Sequence, residues 1–262
     1  MKIFYIFCIF SILIISLFYF NNKELFTVKQ HKILKLKKWY GRLGNNIITL
    51  SNALNFAIKE NIDAIIFPKN EFFNKTYIKL NECDLNTANF IEHECETFYI
   101  YKNKNKDFKK NKNLVLKYLT DIFKIKYEDI PKGKSNDLYI HIRSGDLFNK
   151  QKCINETYCA NQPDFKFYKN IIDNNKYEKI YIIAEDNKNP IINQLLDEYP
   201  NVIYNKNSLE EDIKLIMGSR NIIHGYTTFV PTILYFNKGI KNVYRNKYAN
   251  QPDKIINNIN KY

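Results

Sequence analysis

From residue 33 onward the chain alternates short apolar runs with amphipathic stretches. Ile33 to Tyr40 reads as a strand, followed by a tight turn, Gly41-Arg42-Leu43-Gly44. Ile47, Ile48, Leu50, Leu54, Ala57 and Ile58 then recur near helical spacing. Ala64 to Phe67, stopped by Pro68, is the second strand of a βαβ unit. A low-complexity Lys/Asn-rich segment at 101–113 reads as an exposed insert, Leu114 to Lys126 as a linking helix, and Pro131-Lys132-Gly133 as a break.

The second half is more regular. Leu138 to Ile142 is a strand, and Pro163 sits at a helix start ahead of Phe165 to Ile172. Ile180 to Ala184 is a continuous apolar run of the kind buried on both faces of a parallel sheet. Asn189-Pro190 opens a helix to Tyr199, and Val202 to Tyr204 is a short strand. Ser208-Leu209-Glu210-Glu211 is a capping box for a helix running to Gly218. Asn221 to His224, Thr228 to Phe236 and Asn242 to Tyr244 follow as strand, helix and strand. Such alternation predicts an α/β fold with a parallel, doubly wound sheet. We therefore expect one Rossmann-like domain at 33–131 and a better defined one at 132–262.

The amino terminus changes this picture. Ile3 to Phe20 carries no charge and is long enough to span a bilayer, with Lys2 before it and Lys23 after. No small-x-small cleavage site follows, so 1–22 reads as an uncleaved signal anchor and 23–32 as a stem. The flanking lysines alone favour a cytosolic body. Against that, Cys83 with Cys95 and Cys153 with Cys159 are close enough in sequence to close small disulfide loops, and Asn74 and Asn155 begin glycosylation acceptors. The expectation is a single-pass type II membrane protein of the ER or Golgi with a lumenal body. The net charge of +13 suits an anionic partner. No nucleic-acid motif accompanies it, and much of the lysine reads as solvated surface.

Ligands of doubly wound sheets bind beyond the carboxyl ends of the strands, which singles out three loops. Gly41-Arg42-Leu43-Gly44-Asn45-Asn46 joins a strand to a helix whose amino terminus favours anions. In His141-Ile142-Arg143-Ser144-Gly145-Asp146, an Arg leaves an apolar strand and needs an anion, either a ligand phosphate or Asp146. In His224-Gly225-Tyr226-Thr227-Thr228-Phe229, two hydroxyls precede a helix, where they suit a phosphate or a cap.

In order and spacing these loops resemble the α-1,2-fucosyltransferases and the related O-fucosyltransferases and α-1,6-fucosyltransferases. The first is similar to that group's G-x-L/F-G-N-Q motif and the second to its H-x-R-R-x-D motif. Asp212 to Met217, followed by Thr227-Thr228-Phe229, resembles its stretch ending in S-T-F. The resemblance implies a GT-B fold of two Rossmann-like domains around a cleft. It also implies metal-independent, inverting transfer from a GDP-sugar to a glycan or glycoprotein hydroxyl, with no cofactor. By it, Arg143 holds the β-phosphate of the donor, with Gly44, Asn45, His141, Thr227, Thr228 and Phe229 completing the donor site. Arg143, Asp146 and Asn45 are then the candidate catalytic residues. Ser144 stands where the group carries a second Arg, Asn46 where it carries Gln, and Thr227 where it carries Ser. The general base stays open among Asp146, Glu185 and Asp186. A metal-dependent transferase would have only Glu185-Asp186-Asn187 to offer, and a non-catalytic, membrane-anchored glycan-binding or structural protein is the other class carried forward.

Overall fold

The computed structural model describes residues 31–86, 89–100, 108–148, 162–245 and 259–261. The expected anchor, most of the stem, Cys153, Cys159 and Asn155 lie outside the described residues. Among the described residues, no helix is long and apolar enough to cross a membrane.

Two sheets form the α/β architecture that the alternation predicts. In the first, β1 (Lys32–Leu36) pairs in parallel with β2 (Ala64–Ile66) and β4 (Asn89–His93), while β3 (Tyr77–Lys79) adds an antiparallel edge. β1 is shorter than expected. After a last backbone bond from Lys37 to His93, the Trp39 indole turns aside to donate to the Pro68 carbonyl at 3.1 Å and packs on Phe67 and Phe73. Residues 37–40 thus leave the sheet to anchor an aromatic cluster, which overrides their strand propensity.

Helix α1 (Leu43–Lys59) links β1 to β2 and is buried on nearly every side, including Asn46, Thr49, Ser51, Asn52 and Asn55. A helix without a wet face must sit between layers. Its amides serve as ties: Asn52 Nδ2 donates to the Phe98 carbonyl of α2 (Cys95–Ile100) at 2.7 Å. Asn55 Oδ1 accepts from Asn111 Nδ2 of α3 (Phe108–Ile122) at 2.9 Å. Because α3 starts at Phe108, the last part of the Lys/Asn-rich insert is helical rather than loop. The apolar positions that follow, Val115, Leu119 and Ile122, are buried at helical spacing and carry the segment into the core.

The second sheet is all parallel, in the order β7 (Val202–Tyr204), β6 (Lys179–Ile183), β5 (Asp137–His141), β8 (Asn221–His224), β9 (Asn242–Arg245), β10 (Ile259–Lys261). From β5 the chain winds first one way and then the other, so a topological switch point opens between β5 and β8. Helices α4 (Phe165–Asp173), α5 (Pro190–Glu198), α6 (Leu209–Gly218) and α7 (Phe229–Ile233) connect the strands. Local chemistry sets their starts. Asp164 and Asn189 accept from Phe167 and Ile191 amides, and Ser208 with Glu211 forms the expected capping box. Pro163 thus lies just before the cap and not at the first helical position.

Strand alternation gives this sheet two cores. Leu138, Ile140, Ile180, Ile182 and Ile223 face α4 and α5. Tyr139, Ile183, Ile222 and Val243 face the other way, into a cluster that continues through α6, α7 and α1 to Leu34 and Leu36 of the first sheet. One apolar layer is therefore common to both sheets.

The same alternation overturns the expected Cys83–Cys95 disulfide. Both thiols are free and buried. Cys83 packs with Ile33 on one face of the first sheet, whereas Cys95 packs in the cluster reached by Leu34 on the opposite face. The sheet stands between them. Asn74 is exposed, with its amide donating to the Asp121 carbonyl at 3.3 Å.

Candidate active site

The switch point brings together all three loops picked out from the sequence. The closest approach is between the amino termini of α1 and α7. A Cβ at Gly44 would stand 2.9 Å from the Phe229 amide nitrogen and Cα, so only glycine permits this contact. One residue on, Asn45 Oδ1 accepts from the Thr228 hydroxyl at 2.8 Å, joining the two loops across 183 positions of sequence. Gly41, at φ +70°, leaves room for the Asn45 side chain. Thr227 takes the capping role, its hydroxyl accepting from the Phe229 amide at 3.1 Å, which frees Thr228 to reach Asn45.

Arg143 lies just past β5, one quarter exposed, and its Nη1 stands 3.7 Å from Glu185 Oε2. The same oxygen accepts from Arg42 Nη1 at 2.9 Å. Two guanidinium groups, one from the loop after β1 and one from the loop after β5, thus converge on one carboxylate oxygen at the crevice. Gly145, at φ +65°, makes room for that carboxylate, since a Cβ there would meet it at 2.5 Å. The partner of Arg143 suggested by the sequence, Asp146, belongs to the 3-10 turn Gly145–Phe148, and its side chain lies outside what is described. Among the described side chains, Glu185 is the carboxylate facing Arg143. Sequence reasoning had Glu185 only as a base candidate and did not single out Arg42; a cation inside a glycine-bounded turn was the available signal.

Ser144, which replaces the second Arg of the resemblance, has a structural task. Its hydroxyl donates to Asp186 and accepts from the Asn189 amide, while Asn189 Nδ2 donates to the Arg143 carbonyl at 3.0 Å. Burial alone would raise the Asp186 carboxyl. Hydrogen bonds from Ser144, the Lys188 and Gly145 amides and the Lys188 ammonium outweigh it and hold the group below the usual carboxylate range. A carboxylate so fully engaged is a weak proton acceptor and holds the loop around Ser144 and Lys188 in place.

Beneath the loops, His141 and His224 are register neighbours on β5 and β8, and the Phe229 ring packs 5.8 Å from His141. Burial, His224 and Arg143 push His141 down to about 3. Burial, with Arg245, pushes His224 down to about 4 despite its bond to the Gly225 carbonyl. Both rings are neutral in the fold, while the unfolded chain protonates them near pH 6.5. Between about pH 4 and 6.5 the unfolded state therefore binds more protons, and stability rises with pH by about 1.4 kcal/mol per unit per ring. Asp212 opposes this: burial first, then Glu211, raises it to about 6 against the bond from Asn207, so its contribution falls as pH rises through the same window. Two rings against one carboxyl leave a net slope of about one proton. Urea midpoints from pH 4 to 6.5 should show it, and Asp212→Asn should steepen it; a flat profile would contradict the buried neutral pair.

Among the described residues, no group of three His, Cys, Asp or Glu is placed to hold a metal ion. No protein-family model matches the sequence, and no curated protein does. Solved structures do match. POFUT1 in complex with GDP is similar at 7% identity and a TM-score of 0.48, over 82% of this chain and 98% of that one. The E. coli heptosyltransferase WaaC with ADP-2-deoxy-2-fluoro heptose is similar at 11% identity and a TM-score of 0.47, over 88% of this chain and 93% of that one. NodZ fucosyltransferase from Bradyrhizobium is similar at 9% identity and a TM-score of 0.37, over 81% and 94%. At such identities the similarity is one of chain course. The solved structures that this chain resembles thus include fucosyltransferases and a heptosyltransferase.

Proposed function

We propose that the chain is a glycosyltransferase that transfers a sugar, fucose from GDP-fucose by its motif resemblance, to a hydroxyl of a glycan or glycoprotein. The carrying observation is the convergence of Arg42 and Arg143 on a single anionic oxygen at the switch point. A departing diphosphate needs such cations preorganised where its charge develops. Arg42 and Glu185 are both half exposed or more. A pair of this kind contributes only about 0–1 kcal/mol. A diphosphate, with more charge and a fit to the guanidinium fork, replaces the carboxylate readily. In this reading Arg42 supplies, from the opposite rim, the second cation that Ser144 does not, and no metal is required.

Transfer breaks the bond from the anomeric carbon to the diphosphate oxygen and forms one to the acceptor oxygen, whose proton needs a base. Glu185, displaced from both arginines as the diphosphate enters, is the carboxylate at hand. The body is held at the membrane by residues 1–22 and works in the lumen on this reading.

A nucleotide panel tests the proposal. GDP should raise the melting temperature of the full chain in chelator, and GDP-fucose should be consumed when acceptor glycans are supplied. A panel in which no nucleotide stabilises the chain would refute it. Glu185→Gln separates its two roles. GDP should bind several-fold more tightly, because a competing anion is gone, while turnover falls by about a hundredfold or more. Unchanged turnover would exclude Glu185 as the base.

A further inference from the structure

Arg245, the last residue of β9, is 6% exposed, and its Nη1 has no hydrogen-bond partner. Among the described residues no carboxylate pairs with it. Parallel register sets it beside His224 on β8, which in turn neighbours His141 on β5. The three side chains form a row on one face of the sheet, the face that Tyr139, Ile222 and Val243 turn toward α7 and α1. His141 contacts Phe229, whose backbone abuts Gly44, so this face is the one that borders the crevice.

A buried guanidinium is costly unless an anion accompanies it. Among the described residues none does, and each of the other two members of the row has one buried ring nitrogen without a partner. His224 Nδ1 lies 2.9 Å from the Gly225 carbonyl, to which it donates. Its Nε2 then carries a lone pair, is buried and has no partner. The Nδ1 of His141 is also buried without a partner. A cation awaiting an oxyanion, next to a nitrogen awaiting a hydroxyl, describes a ligand that carries both.

We infer that Arg245, with His224 beside it, forms a second subsite of the crevice that takes a hydroxyl-bearing oxyanion, the phosphate or carboxylate of a sugar. The subsite is distinct from the Arg42–Arg143 pair. His141 and Arg245 are two strands apart, roughly 10 Å at the usual strand spacing. One phosphate does not span that distance, whereas a sugar with an anionic substituent does. The inference rests on the crevice being the ligand site of a nucleotide-sugar enzyme, and it adds that donor or acceptor is itself acidic.

The test uses the full chain as wild type, Arg245→Met, Arg245→Lys and Arg143→Ala. Melting is followed with inorganic phosphate, glucuronate and GDP at constant ionic strength. Without any probe, Arg245→Met is expected to melt at or above wild type, because an uncompensated buried charge has been removed. Phosphate, glucuronate or both should stabilise wild type and Arg143→Ala alike. Apparent affinity should drop tenfold or more in Arg245→Met and be partly retained in Arg245→Lys. Response to glucuronate alone would mark a sugar acid, and response to phosphate alone a sugar phosphate. Equal stabilisation of wild type and Arg245→Met, or none of wild type by either probe, overturns the subsite. So does a marked loss of probe-free stability in Arg245→Met that Lys restores, since that is a structural role. Phosphate or glucuronate binding through Arg245 without any GDP effect would keep the subsite and overturn the nucleotide-sugar reading. A GDP effect in wild type, with a phosphate and glucuronate response that does not depend on Arg245, would do the reverse.

Discussion

Arg143→Ala is expected to abolish stabilisation by GDP and to lower donor turnover by about a hundred- to thousandfold, ~3–4 kcal/mol of barrier. The size follows from what Arg143 faces. Its guanidinium lies at the end of a buried strand, less than a quarter exposed, where a developing phosphate charge is poorly screened. The fold should be largely unaffected: Arg143 is itself partly exposed, and the Glu185 it pairs with is half exposed and also held by Arg42. Breaking such a pair costs about 1 kcal/mol at most. Melting curves with and without GDP, alongside turnover of GDP-fucose, provide the measurement. A mutant that GDP stabilises as well as wild type would remove Arg143 from the donor site.

Gly44→Val should be the most damaging single substitution for the fold near the site. The new Cβ alone would meet the Thr228–Phe229 backbone at 2.9 Å, and backbone cannot yield as a side chain can. Overpacking of this kind costs about 1–3 kcal/mol by itself. Here α1 must also withdraw from α7, which strains the Asn45–Thr228 bond and the apolar layer that both helices share. We expect a lower urea midpoint, a weaker GDP response, and a smaller version of both in Gly44→Ala. Gly239→Ala is the control. There the added carbon meets the hydroxyl of Tyr127, the end of a side chain that can move, so the loss should be much smaller. Equal losses at the two glycines would mean that the α1–α7 contact is not what Gly44 protects.

Much of the fold was legible because the determinants are local. The apolar run Ile180 to Ala184, the capping box at Ser208 and Glu211, and Asn189-Pro190 each fix an element within a few residues, and each appears within a residue or so of where the pattern puts it. Residues 77–100 were not legible. β3 and β4 are a short edge and an exposed edge, and neither has the alternation that burial imposes. The tail of β1 also misled, because Trp39 follows Pro68, Phe67 and Phe73, partners about thirty residues away.

The candidate site divides along the same line. That Gly44-Asn45, His141 to Arg143 and Thr227 to Phe229 sit at strand ends followed by helix starts is a property of the sequence, since strand and helix periodicities are written locally. What meets what is not. The approach of Glu185 to Arg143, the convergence of Arg42 from the loop after β1, the seating of Ser144 on Asp186, the isolation of Cys83 from Cys95 by a sheet, and the burial of Arg245 all depend on strand order. Strand order is settled by packing two faces of a sheet against helices far away in the chain, and no window of local sequence contains both sides of such a contact.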